Sequence, residues 1–527
     1  MNHQKTQSPS MEKSQETVSK TTTEDKTTRN NNVVLSGCMP SPLSSYLKGL
    51  GVFRIVSEQA DPCARAMWHR ESLTISSSLD ENALIAFLMN DYRPTPIIAP
   101  WNGGSGFWGK KSSTATIAKI MASTNPQLAQ FQAAVKAVQE TIANLGLMNK
   151  PDKKQKLDLM QACRASVPDE AVQWLDAAFV LSEDKAQYPA LLGTGANDGN
   201  MDFTANFMHN LTVILDLNPE AGSASDSKRK GRRKSAYDRG TSEGFLRDSL
   251  FGTSTMPLAN TAIGQFNPGA VGGPNATRGF EAGTLLNPWD YVLALEGSLM
   301  FAGSIVWRLG TSSYGMAAFP FSVNPSAAGM GTVSQDGREA RAETWVPLWN
   351  APASYVELRR LFAEGRAQVA GRRARTGTDF VRAIAGLGVD RGVGSFVRYG
   401  FMKRSGLSYL SIPLGRFHVT ERSAVNLIAD LDPWLDSLRR LASDSKGPGT
   451  YRRVLRQVED AVFRYCSHGR ASELVDLLAA VGRAERTVAV GSRNKKPPRP
   501  LSRLSSSWIY ECGDSLEFRL ALSLVFD

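Results

Sequence analysis

The chain has 527 residues, 42% of them hydrophobic, with 61 lysines and arginines against 50 aspartates and glutamates, a formal charge of +11 and a pI near 9.4. That length exceeds what one hydrophobic core organises and predicts two to four domains, and the basic balance favours nucleic acid or an anionic surface as partner. The five cysteines (Cys38, Cys63, Cys163, Cys466, Cys512) are scattered with no CxxC pair, which argues against a disulfide scaffold and for a reducing, cytoplasmic setting.

Residues 1–32 are polar, without an apolar stretch of signal-peptide type, and are expected to form a disordered tail. From Val33 the pattern becomes that of a mixed α/β domain extending to residue 220. Leu43, Leu47 and Leu50 predict a helix stopped by Asp61-Pro62, Leu73 and Ile75 alternate as in a strand, and Asp80 should cap a helix carrying Leu84, Phe87 and Leu88. Phe131, Val135, Val138, Ile142 and Leu145 form one stripe over Pro126–Gly146, and a further helix follows Pro168 with Val172, Leu175 and Phe179.

Two glycine-rich loops interrupt these helices. In the first, Gly103, Gly104 and Gly106 precede Lys110 and Lys111, and Gly104-x4-Gly109-Lys110 mimics the start of a phosphate-binding P-loop. Lys111 stands where that motif needs Ser or Thr for magnesium. A structural turn, or a loop laid on a nucleic-acid backbone with Lys110 and Lys111 as phosphate contacts, is the better reading. In the second, Gly193, Gly195 and Gly199 miss the dinucleotide fingerprint by one residue. Asn197 and Asp198, with Asp202 and Asn206, lack calcium-loop spacing, so a tight turn is expected, with Asp202 or Thr204 capping the next helix and no metal held.

Residues 221–244 read as a basic flexible linker in which Lys228, Arg229, Arg232 and Arg233 are candidate nucleic-acid contacts. Residues 245–420 form a central Gly/Arg-rich region. Within it the apolar run Tyr291–Trp307 carries Glu296 and is short for a bilayer span of about 20 residues, so a buried helix over 289–309 is expected and no membrane association. The richest stretch is Gly371–Phe417. Thr378 is the expected N-cap of a helix with Phe380, Ile384 and Leu387, surrounded by Arg372, Arg373, Arg375, Arg382, Arg391, Arg398, Lys403, Arg404 and Arg416. Only Asp379 and Asp390 oppose them, which points to a surface facing a polyanion. Phe396, Tyr399, Phe401 and Tyr409 interleave with the cations and suit either base stacking or core packing.

Residues 421–527 read as helical. Val425, Ile428 and Leu431 lead to Pro433, and Val454, Val458, Val462 and Tyr465 mark a second helix with Arg452, Arg453, Arg456 and Arg464 on its other surface. The fold class expected from these patterns is α+β and multidomain, with a mainly α-helical C-terminal region. None of the five histidines lies in metal-binding or catalytic spacing and no GxSxG elbow occurs, so a binding protein without cofactor is favoured over an enzyme. The alternative is a nucleotide-dependent enzyme using the two glycine-rich loops.

Four segments taken together resemble a known family: LSGCMPSPLSSYLKGLGVFRIVSEQADPCARAMW, YRPTPIIAPWNGGSGF, LLGTGANDGNMDFTANFM and RRARTGTDFVRAIAGLGVDRGVGSFVRYGFMKRSGLSYLSIPLGR. In this order they are similar to the CRISPR-associated large subunit of subtype I-G, formerly I-U. The resemblance implies a non-catalytic part of an RNA-guided surveillance complex (Cascade) in antiviral defence. Its expected partners are crRNA, target double-stranded DNA, the other complex subunits and a recruited helicase–nuclease. It implies contact with the protospacer-adjacent motif and support of the opened strands, with no catalytic residues to transfer. Members of the family continue beyond the segment at Glu517–Ala521, which implies that a C-terminal helical part is absent here.

Overall fold

The computed structural model describes residues 30–109, 111–182, 185–192, 201, 203–217, 239–253, 258–261, 266–268, 284–306, 316–326, 328, 340–365, 367–390, 392–404, 408–444, 449–491 and 500–526. Strand β1 (Asn31–Leu35) leads to α1 (Leu43–Gln59), the hairpin β2 (Arg65–His69) and β3 (Ser72–Ser77), and α2 (Glu81–Asn90). After a buried loop come α3 (Lys111–Ala122), α4 (Ala129–Asn144), α5 (Lys153–Ser166), α6 (Asp169–Ala178), the hairpin β4 (Val180–Ser182) and β5 (Lys185–Gln187), α7 (Phe203–Ile214) and α8 (Arg239–Phe251). The pair β6 (Ala259–Thr261) and β7 (Thr284–Leu286) precedes α9 (Pro288–Ser298), and β8 (Ser304–Val306) pairs with β9 (Met316–Ala318). Then follow β10 (Ser322–Val323), β11 (Ala340–Trp349), β12 (Ala353–Ser354), α10 (Tyr355–Glu364), β13 (Gln368–Val369), β14 (Arg372–Arg373), α11 (Gly377–Ala385), β15 (Val393–Arg404) and β16 (Ser408–His418). The C-terminal region is helical: α12 (Asp432–Ser443), α13 (Gly449–His468), α14 (Ala471–Gly491), α15 (Ser507–Glu511) and α16 (Leu516–Phe526). The architecture is α+β.

Helix α1 is buried along most of its length because it crosses α9 at glycine contacts. A Cβ on Gly51 would overlap the Leu293 carbonyl, and one on Gly297 the Leu47 carbonyl. The first sheet, ordered β1-β3-β2-β12, is antiparallel, and its last strand comes from the far side of the expected 221–244 linker. Trp349 seals that junction by donating from Nε1 to the Ala66 carbonyl at 2.7 Å. The second sheet, β10-β11-β15-β16, is also antiparallel. Trp345 stacks on Phe380 of α11 and Phe417 packs edge-on against Phe463 of α13, while the Tyr399 hydroxyl donates to the Pro40 carbonyl. Both long inner strands are thus covered on two faces. Phe396, Tyr399 and Phe401 are core residues, which settles their choice between stacking and packing.

Several local expectations change. The N-cap of α11 is Thr376, which forms a capping box with Asp379, and Thr378 is buried within the first turn. Leu387 lies past the end of that helix at φ 53° and is exposed. The expected helix over 289–309 ends at Ser298, passes through a 3-10 turn at Leu299–Phe301 and becomes β8. Val425, Ile428 and Leu431 lie in a 3-10 helix, and Pro433 occupies the first turn of α12, where its missing N–H has no intrahelical partner to lose. Thr204 donates to the Met201 carbonyl instead of capping α7, and Asp202 lies outside the described residues. Asp80 caps α2 as expected, accepting from the Ala83 N–H at 2.8 Å.

Candidate nucleic-acid interface

The β13–β14 hairpin turns through Ala370 and Gly371, both at positive φ, as a two-residue turn requires. It delivers Arg372 and Arg373 beside the start of α11 and the first two turns of α12. Arg372 Nη2 reaches Asp432 at 3.0 Å and Nη1 reaches Asp436 at 3.4 Å. Beneath it, buried Arg382 grips Asp432 with both terminal nitrogens, at 2.7 and 3.3 Å, while its Nε is buried without a partner. Arg439 of α12 donates to Asp379 at 3.3 Å and to Glu459 at 3.0 Å. Burial alone would lower the Arg439 pKa, and the two carboxylates raise it above its ordinary value.

These groups enclose an open pocket of about 40 Å³, lined by Val369, Arg372, Arg373, Arg375, Asp379, Arg382, Asp432, Asp436 and Arg439. Five arginines face three aspartates. Arg373 and Arg375 are exposed and have no carboxylate partner among the described residues; the Arg375 N–H donates to Asp379 Oδ2 at 3.1 Å. Partial desolvation lowers the Arg373 pKa, the direction expected of a cation that no anion compensates. The pocket is small but open, larger than the roughly 10–15 Å³ that one water takes.

Arg398 was an expected nucleic-acid contact, and its position overturns that. It is 1% exposed and donates to both carboxylate oxygens of Glu343 at 2.6 and 2.9 Å and to the carbonyls of Ser326 and Ala328, with its guanidinium 4.8 Å from the Phe463 ring centre. Four of its five N–H groups are engaged and the side chain is sealed from solvent, so it is out of reach of a phosphate. Gly377 has to be glycine here, because a Cβ would overlap the Glu343 carboxylate. Arg416 likewise pairs with Glu71 at 2.6 Å. Lys110, Lys228, Arg229, Arg232, Arg233 and Arg391 lie outside the described residues, as do Gly193, Gly195, Asn197, Asp198 and Gly199. Lys111 begins α3 and Lys403 and Arg404 end β15, with their side chains outside the described residues.

The first glycine-rich loop follows no strand and folds inward. Trp101, Asn102 and Ser105 are buried, the Gly104 N–H donates to Asn102 Oδ1 at 2.9 Å, and the Ser105 N–H donates to the Asn102 carbonyl at 3.1 Å. With these amides engaged, the loop around Gly103, Gly104 and Gly106 is a packed turn and no cradle for phosphates. Among the described residues no group of three or more His, Cys, Asp or Glu side chains is placed to hold a metal ion, and no helix is long and apolar enough to cross a membrane. Sequence reasoning missed Asp432, Asp436 and Arg439. Their i, i+4, i+7 spacing on one helical face was the available signal.

Compared with known proteins, the chain matches no family model and no curated protein.

Proposed function

We propose that the chain is a non-catalytic large subunit of a type I-G CRISPR surveillance complex, binding crRNA and target DNA through the β13–β14 hairpin and contributing to recognition of the protospacer-adjacent motif and to R-loop stability. The four-segment resemblance supports the family, and one structural observation carries the contact: Arg373 and Arg375 stand exposed, with no carboxylate partner among the described residues, at a small open pocket. Guide pairing supplies sequence specificity in such assemblies, so backbone contacts of this kind are what the protein must add. The other subunits and a helicase–nuclease are the proposed partners, in the cytoplasm.

The experiment is a salt titration of target-DNA binding by the assembled complex with Arg373→Ala/Arg375→Ala. Losing two phosphate contacts should flatten the slope of log K against log salt by about 1.8. An unchanged slope would remove the hairpin from the interface.

A further inference from the structure

A second cavity differs in size and chemistry. It is an open groove of about 410 Å³ between α6, the turn at Leu299–Phe301 and α10, within the range of pockets that hold small organic ligands. Its floor is apolar, from Leu299, Met300 and Ala302, and exposed Val356 extends it. Arg359 sits with its guanidinium 5.9 Å from the Tyr355 ring centre, and Arg360 lies beside it; neither makes an ion pair among the described residues. The opposite side carries Gln173 and Asp176.

The groove is held in shape from below. The Tyr355 hydroxyl donates to Glu58 Oε1 at 2.7 Å, and Glu58 Oε2 accepts Arg54 Nη1 at 2.7 Å. Arg54 is itself buried against Glu296. Arg54 also donates to Gln173 Oε1 at 3.4 Å, which leaves the Gln173 amide N–H groups for a ligand. Asp176 Oδ1 accepts Arg164 Nε at 2.8 Å, leaving Oδ2 to accept from a ligand amine.

From this geometry we infer that the groove holds one unpaired nucleotide of a single strand, its base on the apolar floor and its phosphate against Arg359 and Arg360. A base is flat with apolar faces, and stacking on aromatic and guanidinium planes suits it. The carboxylate on one side accepts from an exocyclic amine, so adenine and cytosine are preferred over thymine. The site is separate from the hairpin and deepens the proposed part in R-loop stability, on which its ligand class rests.

The test uses the full chain and decamers of dA or dT carrying a central 2-aminopurine, read by anisotropy and by fluorescence quenching. The wild type should bind dA more tightly than dT and quench the probe. Arg359→Ala and Val356→Glu, both at exposed positions, should each weaken dA binding about tenfold or more and abolish the quenching, with an unchanged thermal midpoint. Asp176→Asn should narrow the dA-over-dT preference. The hairpin variant Arg373→Ala/Arg375→Ala should keep the quenching, which separates the two sites. Equal dA and dT binding by the wild type, or groove variants that bind and quench like the wild type, overturns the inference; the latter result points to a protein partner for the groove instead.

Discussion

Between α1 and α9, Arg54 and Glu296 are sealed from water, and Glu296 accepts from Arg54, from the Tyr92 hydroxyl at 2.6 Å, and from the N–H and hydroxyl of Thr95 at 2.8 and 2.7 Å. At the β13–β14 hairpin, Arg372 and Asp432 also pair, yet they do so at an open pocket beside two cations that have no carboxylate partner among the described residues. Both regions are rich in charge. In the first every carboxylate oxygen of Glu296 is used and the cluster binds helix to helix, whereas in the second the charges left over after pairing face solvent. The surplus, and not the number of arginines, is what the proposed interface rests on.

Mutations at matched positions sharpen that contrast. The largest effect should come from Glu296→Ala, which takes from the buried Arg54 guanidinium its sealed partner and leaves it the part-exposed Glu58: about 3–5 kcal/mol lost in urea unfolding. Asp432→Ala removes the shared partner of Arg372 and Arg382 and should cost about 1.5–3 kcal/mol, while the freed cations tighten DNA binding. Opposite signs for stability and affinity would mark an interface, and a loss of both would make the hairpin cluster a second fastening. Gly377→Ala forces a methyl group onto Glu343 and should cost about 1–3 kcal/mol by loosening α11 from the second sheet. The smallest stability change, below about 1 kcal/mol, is expected for Asp436→Asn at its half-exposed pair, together with a salt slope for DNA binding steeper by up to about 0.9.

The readable parts of the chain were those whose burial is one-sided. The stripe Phe131, Val135 and Val138 marks α4, Val454, Val458 and Val462 mark α13, and Asp80 sits where its cap is needed. Strand β15 was not readable as a strand, because covering both of its faces erases the alternation that would have betrayed it. The charge of Gly371–Phe417 was misjudged for a related reason. Its compensating acids, Glu343, Asp432, Asp436 and Glu71, lie outside that stretch and reach it only through folding. Arg373 and Arg375 are exposed with no carboxylate partner among the described residues, and Arg372 is divided between two aspartates.

The completion of the first sheet by β12 bears on how the chain is made. Trp349 and Ala66, which close that edge, are 283 positions apart. A ribosome adding about 5–20 residues per second needs roughly 15 to 60 s to bring the second into reach of the first. Through that interval β2 presents unpaired backbone to whatever strand is nearby, so nascent copies on one message are exposed to mispairing, and a chaperone that shields this edge should raise the yield of native protein.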